Sequence, residues 1–291
     1  MPKIGSRKVH ALLFLFAFTG CHGDGALLRF RSVSLGDGLS VYLGAGGNSV
    51  ALDTNDGVML VDTKLLWGAT ELRHAIARQS PSPVRLVVYT HYHLDHASGT
   101  AAFPRRARVA AHRNVAADLT KFTSQFGVNV TDTVPPDLLI DAVTPLSMGG
   151  EEIVLVPTPG GHTNGDLAIW LPARRVLVVG DLWSNGYFPH ADPNGSGSFL
   201  RWVDSIDQLA AFPAARVIPG HGEVGGPADL TQLKNYLHNL RDALTPLVKA
   251  GFSEQEAAAS LDLADLGLRP LPFLSSHEGA VHGMYDELLH Q

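Results

Sequence analysis

The chain alternates between short apolar runs and segments in which an apolar residue returns at every third or fourth position. Runs typical of buried strands occur in VRLVVYT, EEIVLVPTPG, RRVLVVGD and AARVIPG. GGNSVALDTNDGVMLVDT predicts two more strands, joined by a turn at Asn55, Asp56 and Gly57. Helical patterns occupy LLWGATELRHAIARQ, the segment between Phe199 and Phe212, and a leucine stripe that begins at Pro227. This alternation of strands and helices predicts an α/β fold.

Composition adds little to this picture. The chain has 291 residues, of which 45% are hydrophobic and 17% are charged, as in an ordinary globular protein. No segment after residue 20 has the composition of a linker. We therefore expect residues 21–291 to form a single domain with helices at its C-terminal end.

The first twenty residues have a different pattern. A basic cluster is followed by an apolar run of about ten residues, which is half the ~20 that a membrane-spanning helix needs. This order predicts an export signal peptide over residues 1–20. The FTGC that ends at Cys21 resembles the lipobox of bacterial lipoproteins, which implies a lipidated cysteine. We expect a periplasmic or cell-envelope protein held to the membrane only by an N-terminal lipid anchor, with simple secretion as the alternative.

The net charge narrows the class of partner. The full chain carries a charge of −6, and loss of residues 1–20 removes three positive charges and no negative ones. An acidic protein repels phosphate backbones, so we expect a small-molecule substrate and no nucleic acid. The sequence leaves the oligomeric state open.

Metal-competent side chains recur directly after the apolar runs. These residues are His91, His93, Asp95 and His96 in HYHLDH, then His162, Asp181 and His221. Open α/β sheets place ligand sites at the carboxyl ends of their strands, so these side chains are expected to share one site.

Their spacing predicts two metal ions. His91 and His93 are two residues apart, so an extended segment points both imidazoles the same way, and His162 would complete the first metal site. Asp95, His96 and His221 would bind the second metal, with Asp181 as the bridging carboxylate. Such a set leaves open coordination positions, the mark of a catalytic site. Imidazole and carboxylate ligands favour two Zn²⁺ per chain, with iron or manganese as alternatives.

HYHLDH, followed in order by GGHTNGD, VVGDL and IPGHGE, resembles the signature of the metallo-β-lactamase-fold hydrolases over roughly Ser49 to Gly222. The resemblance implies a four-layer αβ/βα sandwich with a two-metal site at one edge of the sheets. It also implies that Asp62 orients a ligand histidine. The alternative for Asp62 is that it caps the turn after its strand.

The ligand set separates branches of this family. His93 stands where di-iron flavoproteins usually have Glu, and Asp181 stands where true β-lactamases usually have Cys or Ser. The set resembles that of glyoxalase-II-like and lactonase-like hydrolases. A mononuclear iron persulfide dioxygenase and a β-lactamase stay as alternatives, as does a metal-binding protein without turnover.

We therefore expect a di-zinc hydrolase that cleaves an ester, lactone, thioester or β-lactam with a hydroxide held between the metals. Asp95 and Asp181 are the predicted catalytic carboxylates, and Asp95 would hold or accept the proton of the water. The segment after Asp181 supplies the predicted substrate contacts Trp183, Tyr187, Phe188 and His190. The alternative is that Tyr187 and Phe188 fasten this loop to the body of the protein.

Overall fold

A computed structural model describes residues 30–126, 133–261, 267–270 and 275–291. The predicted signal peptide and Cys21 lie outside the described residues. Within those ranges, no helix is both long enough and apolar enough to cross a membrane.

The N-terminal half forms a seven-stranded sheet whose strand order follows the sequence. Its strands are β1 (Arg31–Gly36), β2 (Leu39–Leu43), β3 (Ser49–Thr54), β4 (Gly57–Val61), β5 (Val84–Val88), β6 (Arg108–His112) and β7 (Leu138–Ile140). The first four strands pair antiparallel, whereas β4 to β7 are parallel. The predicted hairpin at Asn55 and Asp56 is confirmed as the β3–β4 turn.

A five-stranded sheet follows, in the order β12-β11-β10-β9-β8. Its strands are β8 (Thr144–Met148), β9 (Glu151–Pro157), β10 (Leu167–Leu171), β11 (Val176–Ser184) and β12 (Arg216–His221). Only β11 and β12 are parallel, and a helix connects them.

The longer described helices pack on the outer faces of the sheets. They are α1 (Leu66–Gln79), α2 (Leu94–Ala97), α3 (Val115–Phe126), α4 (Phe199–Ala210), α5 (Pro227–Lys249), α6 (Glu254–Ala259) and α7 (His277–Leu289). Short 3-10 turns occupy Ser98–Ala102 and Pro172–Arg174. A capping box begins α6, because Ser253 and Glu256 bond each other's backbone amides.

Successive side chains along each strand point to opposite faces of its sheet, and the apolar ones form three cores. Val61 on β4 and Val88 on β5 face Leu155 and Ile169 of the second sheet. Their neighbours Leu60 and Val87 point the opposite way, against Leu72 of α1. A third core packs the outer face of the second sheet against α4, α5 and α7 through Trp202, Leu237 and Met284. The predicted four-layer αβ/βα sandwich is thus confirmed.

The carboxyl ends of β4, β5, β9 and β12 lie at the same edge of the sandwich. Asp181 differs from the prediction, because β11 continues past it to Ser184 and Asp181 is not the last residue of its strand. The pairing of β11 with β12 shifts register at Gly180, which adopts a φ of 54°. A Cβ at Gly180 would lie 2.6 Å from the Thr90 side chain, so the irregular backbone that brings Asp181 to this edge depends on glycine.

Candidate metal centre

Three imidazoles converge in the cleft between the two sheets. His91 Nε2 lies 3.0 Å from His93 Nδ1, and His162 Nε2 lies 2.9 Å from the same atom. All three side chains are buried. His91 and His93 follow β5, while His162 follows β9 of the other sheet, so the fold joins residues 69 positions apart.

Hydrogen bonds at the outer nitrogens fix the tautomers of two of these rings. Thr90 donates its hydroxyl proton to Asp62 at 2.7 Å, so Thr90 Oγ1 accepts from His91 Nδ1 at 3.0 Å. His162 Nδ1 donates to the backbone carbonyl of His190 at 2.6 Å. The inner nitrogens of His91 and His162 are therefore lone-pair donors aimed at one point, which is how a neutral imidazole binds a metal.

The third ring is oriented by Asp192, a residue that the sequence analysis missed. His93 Nε2 donates to Asp192 Oδ2 at 3.0 Å, which leaves His93 Nδ1 facing the other two rings. Asp192 also accepts from the Tyr92 hydroxyl and from the backbone amides of Asn194 and Gly195. The sequence signal was ambiguous, since Asp before Pro, Asn and Gly is typical of a turn and Asp192 does form one.

A second group of ligands adjoins the first. His221 Nε2 lies 3.2 Å from Asp95 Oδ2 and 3.4 Å from His96 Nε2. Asp95 and His96 are in the first turn of α2. His96 Nδ1 donates to Asp62 Oδ2 at 2.7 Å, so its Nε2 is directed at the group. Asp62 thus orients His96 directly and His91 through Thr90.

Asp181 lies between the two groups. Its Oδ1 is 3.3 Å from His96 Nε2, and its Oδ2 is 3.5 Å from both His162 Nε2 and His221 Nε2. The carboxylate fits beside β12 only because residue 220 is glycine, since a Cβ there would lie 1.8 Å from Asp181 Oδ1. One carboxylate thus faces the imidazoles of both groups, the arrangement that the sequence predicted for a bridge.

The pKa values of the residues in the cluster are shifted in different directions. Burial, together with the charge of His96, holds the pKa of His91 well below its usual value, and burial lowers the pKa of His162 to about 3. Burial alone would raise the pKa of Asp95 and Asp181, but His96 and His221 outweigh it and hold both values below normal. At neutral pH the cluster therefore offers neutral imidazoles at His91 and His162 and ionised carboxylates at Asp95 and Asp181, and these two carboxylates outweigh burial and raise the pKa of His96 and His221.

The residues present fit divalent cations. The buried Asp95 Oδ2 and Asp181 Oδ1 accept no hydrogen bond, and each faces an imidazole nitrogen. Buried carboxylate oxygens without donors are costly unless a cation satisfies them. The ligand atoms form two sets, and within each set all the atoms lie within 4.8 Å of one another. The first set belongs to His91, His93, His162 and Asp181, and the second to Asp95, His96 and His221.

The four predicted substrate contacts fall in different environments. Trp183 and Tyr187 are buried, and Phe188 packs against Tyr236 and His277. Packing accounts for these three, in line with the alternative that Tyr187 and Phe188 fasten the loop. The His190 ring is half-buried with its centroid 6.1 Å from that of His162, so His190 is the best placed of the four. Substrate contact stays a prediction for all of them.

The fold and the cluster define an αβ/βα sandwich protein with a His/Asp metal-binding site at its sheet edge. The model of the metallo-beta-lactamase superfamily matches residues 43–221, and the chain belongs to this superfamily. The matched range contains all seven candidate ligands.

Individual relatives are distant. The chain is 26% identical over 183 residues to a type 2 metallo-beta-lactamase of Bacillus sp. (strain 170), covering 61% of this chain and 67% of that protein. It is 21% identical over 278 residues to a linear primary-alkylsulfatase of Pseudomonas sp. (strain ATCC 19151), covering 79% of this chain and 52% of that one. The structure of an inverting sec-alkylsulfatase from Pseudomonas sp. superposes with a TM-score of 0.77 at 16% identity, covering 94% of this chain and 54% of that one. The chain spans about half the length of these two alkylsulfatases.

Proposed function

We propose that this protein is a two-zinc hydrolase of activated carbonyl substrates, namely esters, lactones, thioesters or β-lactams. One observation carries the proposal: two adjoining sets of lone-pair donors share the Asp181 carboxylate between them. A structural metal site is normally closed by four ligands of its own, whereas here seven residues serve two adjacent points and Asp181 faces both.

The chain's own residues have distinct roles in this proposal. His91, His93 and His162 would hold one zinc, Asp95, His96 and His221 would hold the other, and Asp181 would face both. Zinc bound there supplies a Lewis acid and lowers the pKa of coordinated water from ~16 toward ~7. Asp62, Thr90 and Asp192 fix the ring orientations on which this ligand set depends.

Asp95 is the candidate proton acceptor. Its side chain is 11% exposed, more than any other residue of the seven, so it faces the open side of the cluster. Its pKa lies below the ordinary value because His96 and His221 outweigh the effect of burial, so Asp95 is ionised at neutral pH. An ionised carboxylate at this position accepts the proton that an attacking water loses.

The same electrostatics favour a good leaving group. Asp95 and Asp181 are both held ionised at neutral pH, so the only proton that either could pass to a departing alkoxide or amine is the one that Asp95 takes from the attacking water. Activated esters, lactones, thioesters and strained β-lactams are cleaved with less help of this kind than unstrained amides.

Sulfate esters are a second candidate class. The match to the linear primary-alkylsulfatase spans 79% of this chain, whereas the match to the type 2 metallo-beta-lactamase spans 61%. If water attacks the carbon of an alkyl sulfate, the C–O bond breaks and sulfate leaves as a weakly basic dianion that needs little acid assistance, so the same site is compatible with this class.

The test is a substrate panel for the zinc-loaded protein lacking residues 1–20. A nitrophenyl ester, an acyl thioester, a lactone, a chromogenic β-lactam and a primary alkyl sulfate would be compared with Asp95→Asn. We expect turnover of at least one carbonyl substrate and a loss of about 10²-fold or more in kcat for the variant. Turnover of the alkyl sulfate alone would favour the second class. Oxygen uptake with a persulfide by an iron-loaded protein, without hydrolysis, would contradict the proposal.

A further inference from the structure

The connection between β2 and β3 is an unusual turn of five residues, 44–48. Gly44, Ala45 and Gly46 have φ values of 94°, 55° and 96°, so three successive residues occupy the left-handed region. Two of these are glycines, which adopt it without penalty, whereas Ala45 is strained there. Such a backbone persists only where surrounding contacts hold it.

One side of this turn contacts Asp95 and His96 of the second ligand group. The Gly47 amide donates to the Asp95 carbonyl at 3.1 Å. A Cβ at Gly47 would lie 2.2 Å from His96 Cε1, so the backbone of Gly47 packs directly on the His96 ring. The Cβ position of Gly46 is also close to Asp95, 3.0 Å from its Cβ.

The other side of the turn is bonded to the strand end that carries His221. The Asn48 amide donates to the Gly220 carbonyl at 2.7 Å. The Asn48 side-chain amide donates to the carbonyls of Pro219, at 2.9 Å, and Gly222, at 3.0 Å. The turn therefore joins Asp95 and His96, which come from the first sheet, to His221, which comes from the second.

Lys64 ties the two arms of this turn together. Its ammonium donates to the Tyr42 carbonyl, at the end of β2, and to the Gly47 carbonyl, both at 2.6 Å. The side chain is completely buried. A buried lysine is expensive, and burial lowers the pKa of Lys64 to about 7 although Asp62 and Asp95 act in the opposite direction. An apolar side chain would avoid that cost but would leave both carbonyls without this donor.

We propose that Lys64 is a positioning residue for the second metal: it fastens the 44–48 turn and thereby sets the spacing of Asp95 and His96 relative to His221. The inference rests on the proposed function in that it requires a cation at this group. It goes further in assigning a role to a residue that binds neither metal nor substrate.

The test is zinc affinity, measured by chelator competition on the chain lacking residues 1–20. Partners that orient metal ligands typically contribute 10–100-fold in affinity. We expect Lys64→Met to lower the affinity for one of two zinc ions by that factor, as Asp95→Asn should. The affinity for the other zinc ion should stay within twofold of the wild-type value. Lys249→Met, at an exposed lysine in the last turn of α5, is the matched control and should match the wild type.

Asn48→Ala provides an independent test. It removes the side-chain hydrogen bonds from the same turn to Pro219 and Gly222 and leaves Lys64 in place. We expect the same selective loss. A readout without metal is hydrogen exchange of the 44–48 amides in the zinc-free protein, which should be faster in Lys64→Met than in Lys249→Met.

The outcomes separate the two proposals. Wild-type protein that binds no zinc would refute the proposed function. Two zinc ions in the wild type, with both affinities unchanged or equally reduced in Lys64→Met and Asn48→Ala, would overturn only the positioning role. Equal exchange rates in the turn would likewise overturn it, since Lys64 would then not be holding that segment.

Discussion

Asp192 accepts a hydrogen bond at 3.0 Å from Nε2 of His93, a residue 99 positions earlier in the chain. The bond joins the loop after β11 to the motif after β5, and it decides which nitrogen of His93 faces the other imidazoles. It also holds the pKa of Asp192 below its usual value, because the contact with His93 outweighs the effect of burial. A loop residue thereby becomes part of the metal centre without touching the metal position.

The first prediction concerns this carboxylate. Asp192→Asn keeps the size of the side chain, but an amide is a weaker acceptor and can present its NH₂ to His93. We expect zinc affinity at the first group to fall by about 10–100-fold. Asp204→Asn, at an exposed position on α4, should leave the affinity unchanged in the same titration. If zinc affinity in Asp192→Asn is as high as in Asp204→Asn and in the wild type, His93 needs no orienting partner.

A glycine next to Asp181 gives the second prediction. In Gly220→Ala, the new Cβ would begin 1.8 Å from Asp181 Oδ1, so the carboxylate must move out of its position between the two groups. We expect the variant to bind less than two zinc per chain by elemental analysis while keeping its circular dichroism spectrum. Gly279→Ala in α7 is the control, since its Cβ would meet only the Ser276 hydroxyl at 3.5 Å. Full zinc content in Gly220→Ala would mean that Asp181 is not required where the structure places it.

The third prediction is a pH dependence of stability that originates at Lys64. Its pKa falls from 10.5 to about 7 on burial, so between these values the unfolded chain binds more protons than the folded one. The free energy of unfolding contributed by Lys64 therefore rises with pH across this window. Relative to Lys64→Met, we expect the metal-free wild type to gain stability from pH 7 to pH 10, by at most about 1.4 kcal/mol per pH unit.

Urea unfolding of both proteins at several pH values measures this difference. Below about pH 7 the lysine is charged in both states, so the difference should become flat. A stability difference that stays constant up to pH 10 would show that the lysine remains charged in the folded protein, with a pKa close to that of the unfolded chain.

The fourth prediction concerns the N-terminus of α4. Glu287 on α7 accepts from the backbone amides of Phe199, at 2.6 Å, and Leu200, at 3.1 Å, and so caps the N-terminus of α4. Glu287→Gln removes the charge from this helix end and should lower the free energy of unfolding by about 1–2 kcal/mol. Asp286→Asn, at the exposed neighbouring position, should change it by less than about 0.5 kcal/mol in the same urea titration. Equal losses in the two variants would argue against the cap.

The candidate ligands were predictable because strand ends hold them. A buried parallel strand is a plain apolar run in the sequence, and the residue after it has only one edge of the sheet to occupy. His91 follows β5 closely, and His221 is the last residue of β12. Asp181 was predicted at the correct edge, but the sequence did not show that its strand continues past it. An apolar run gives no sign of the register shift at Gly180.

The supporting residues were not predictable from the same patterns. Asp192 lies in a loop whose composition indicates only a turn, and its partner His93 is distant in sequence. Lys64 is a charged side chain, which a sequence reading places at the surface, yet it is completely buried. In both cases the deciding information is a long-range contact. No periodicity or local spacing encodes such a contact.

The most direct test of the central claim is the metal content of the protein lacking residues 1–20, determined by elemental analysis beside Asp181→Ala. The account predicts close to two zinc per chain in the wild type and fewer in the variant, because Asp181 faces both ligand groups. A single iron per chain, or a zinc content that Asp181→Ala does not change, would contradict it.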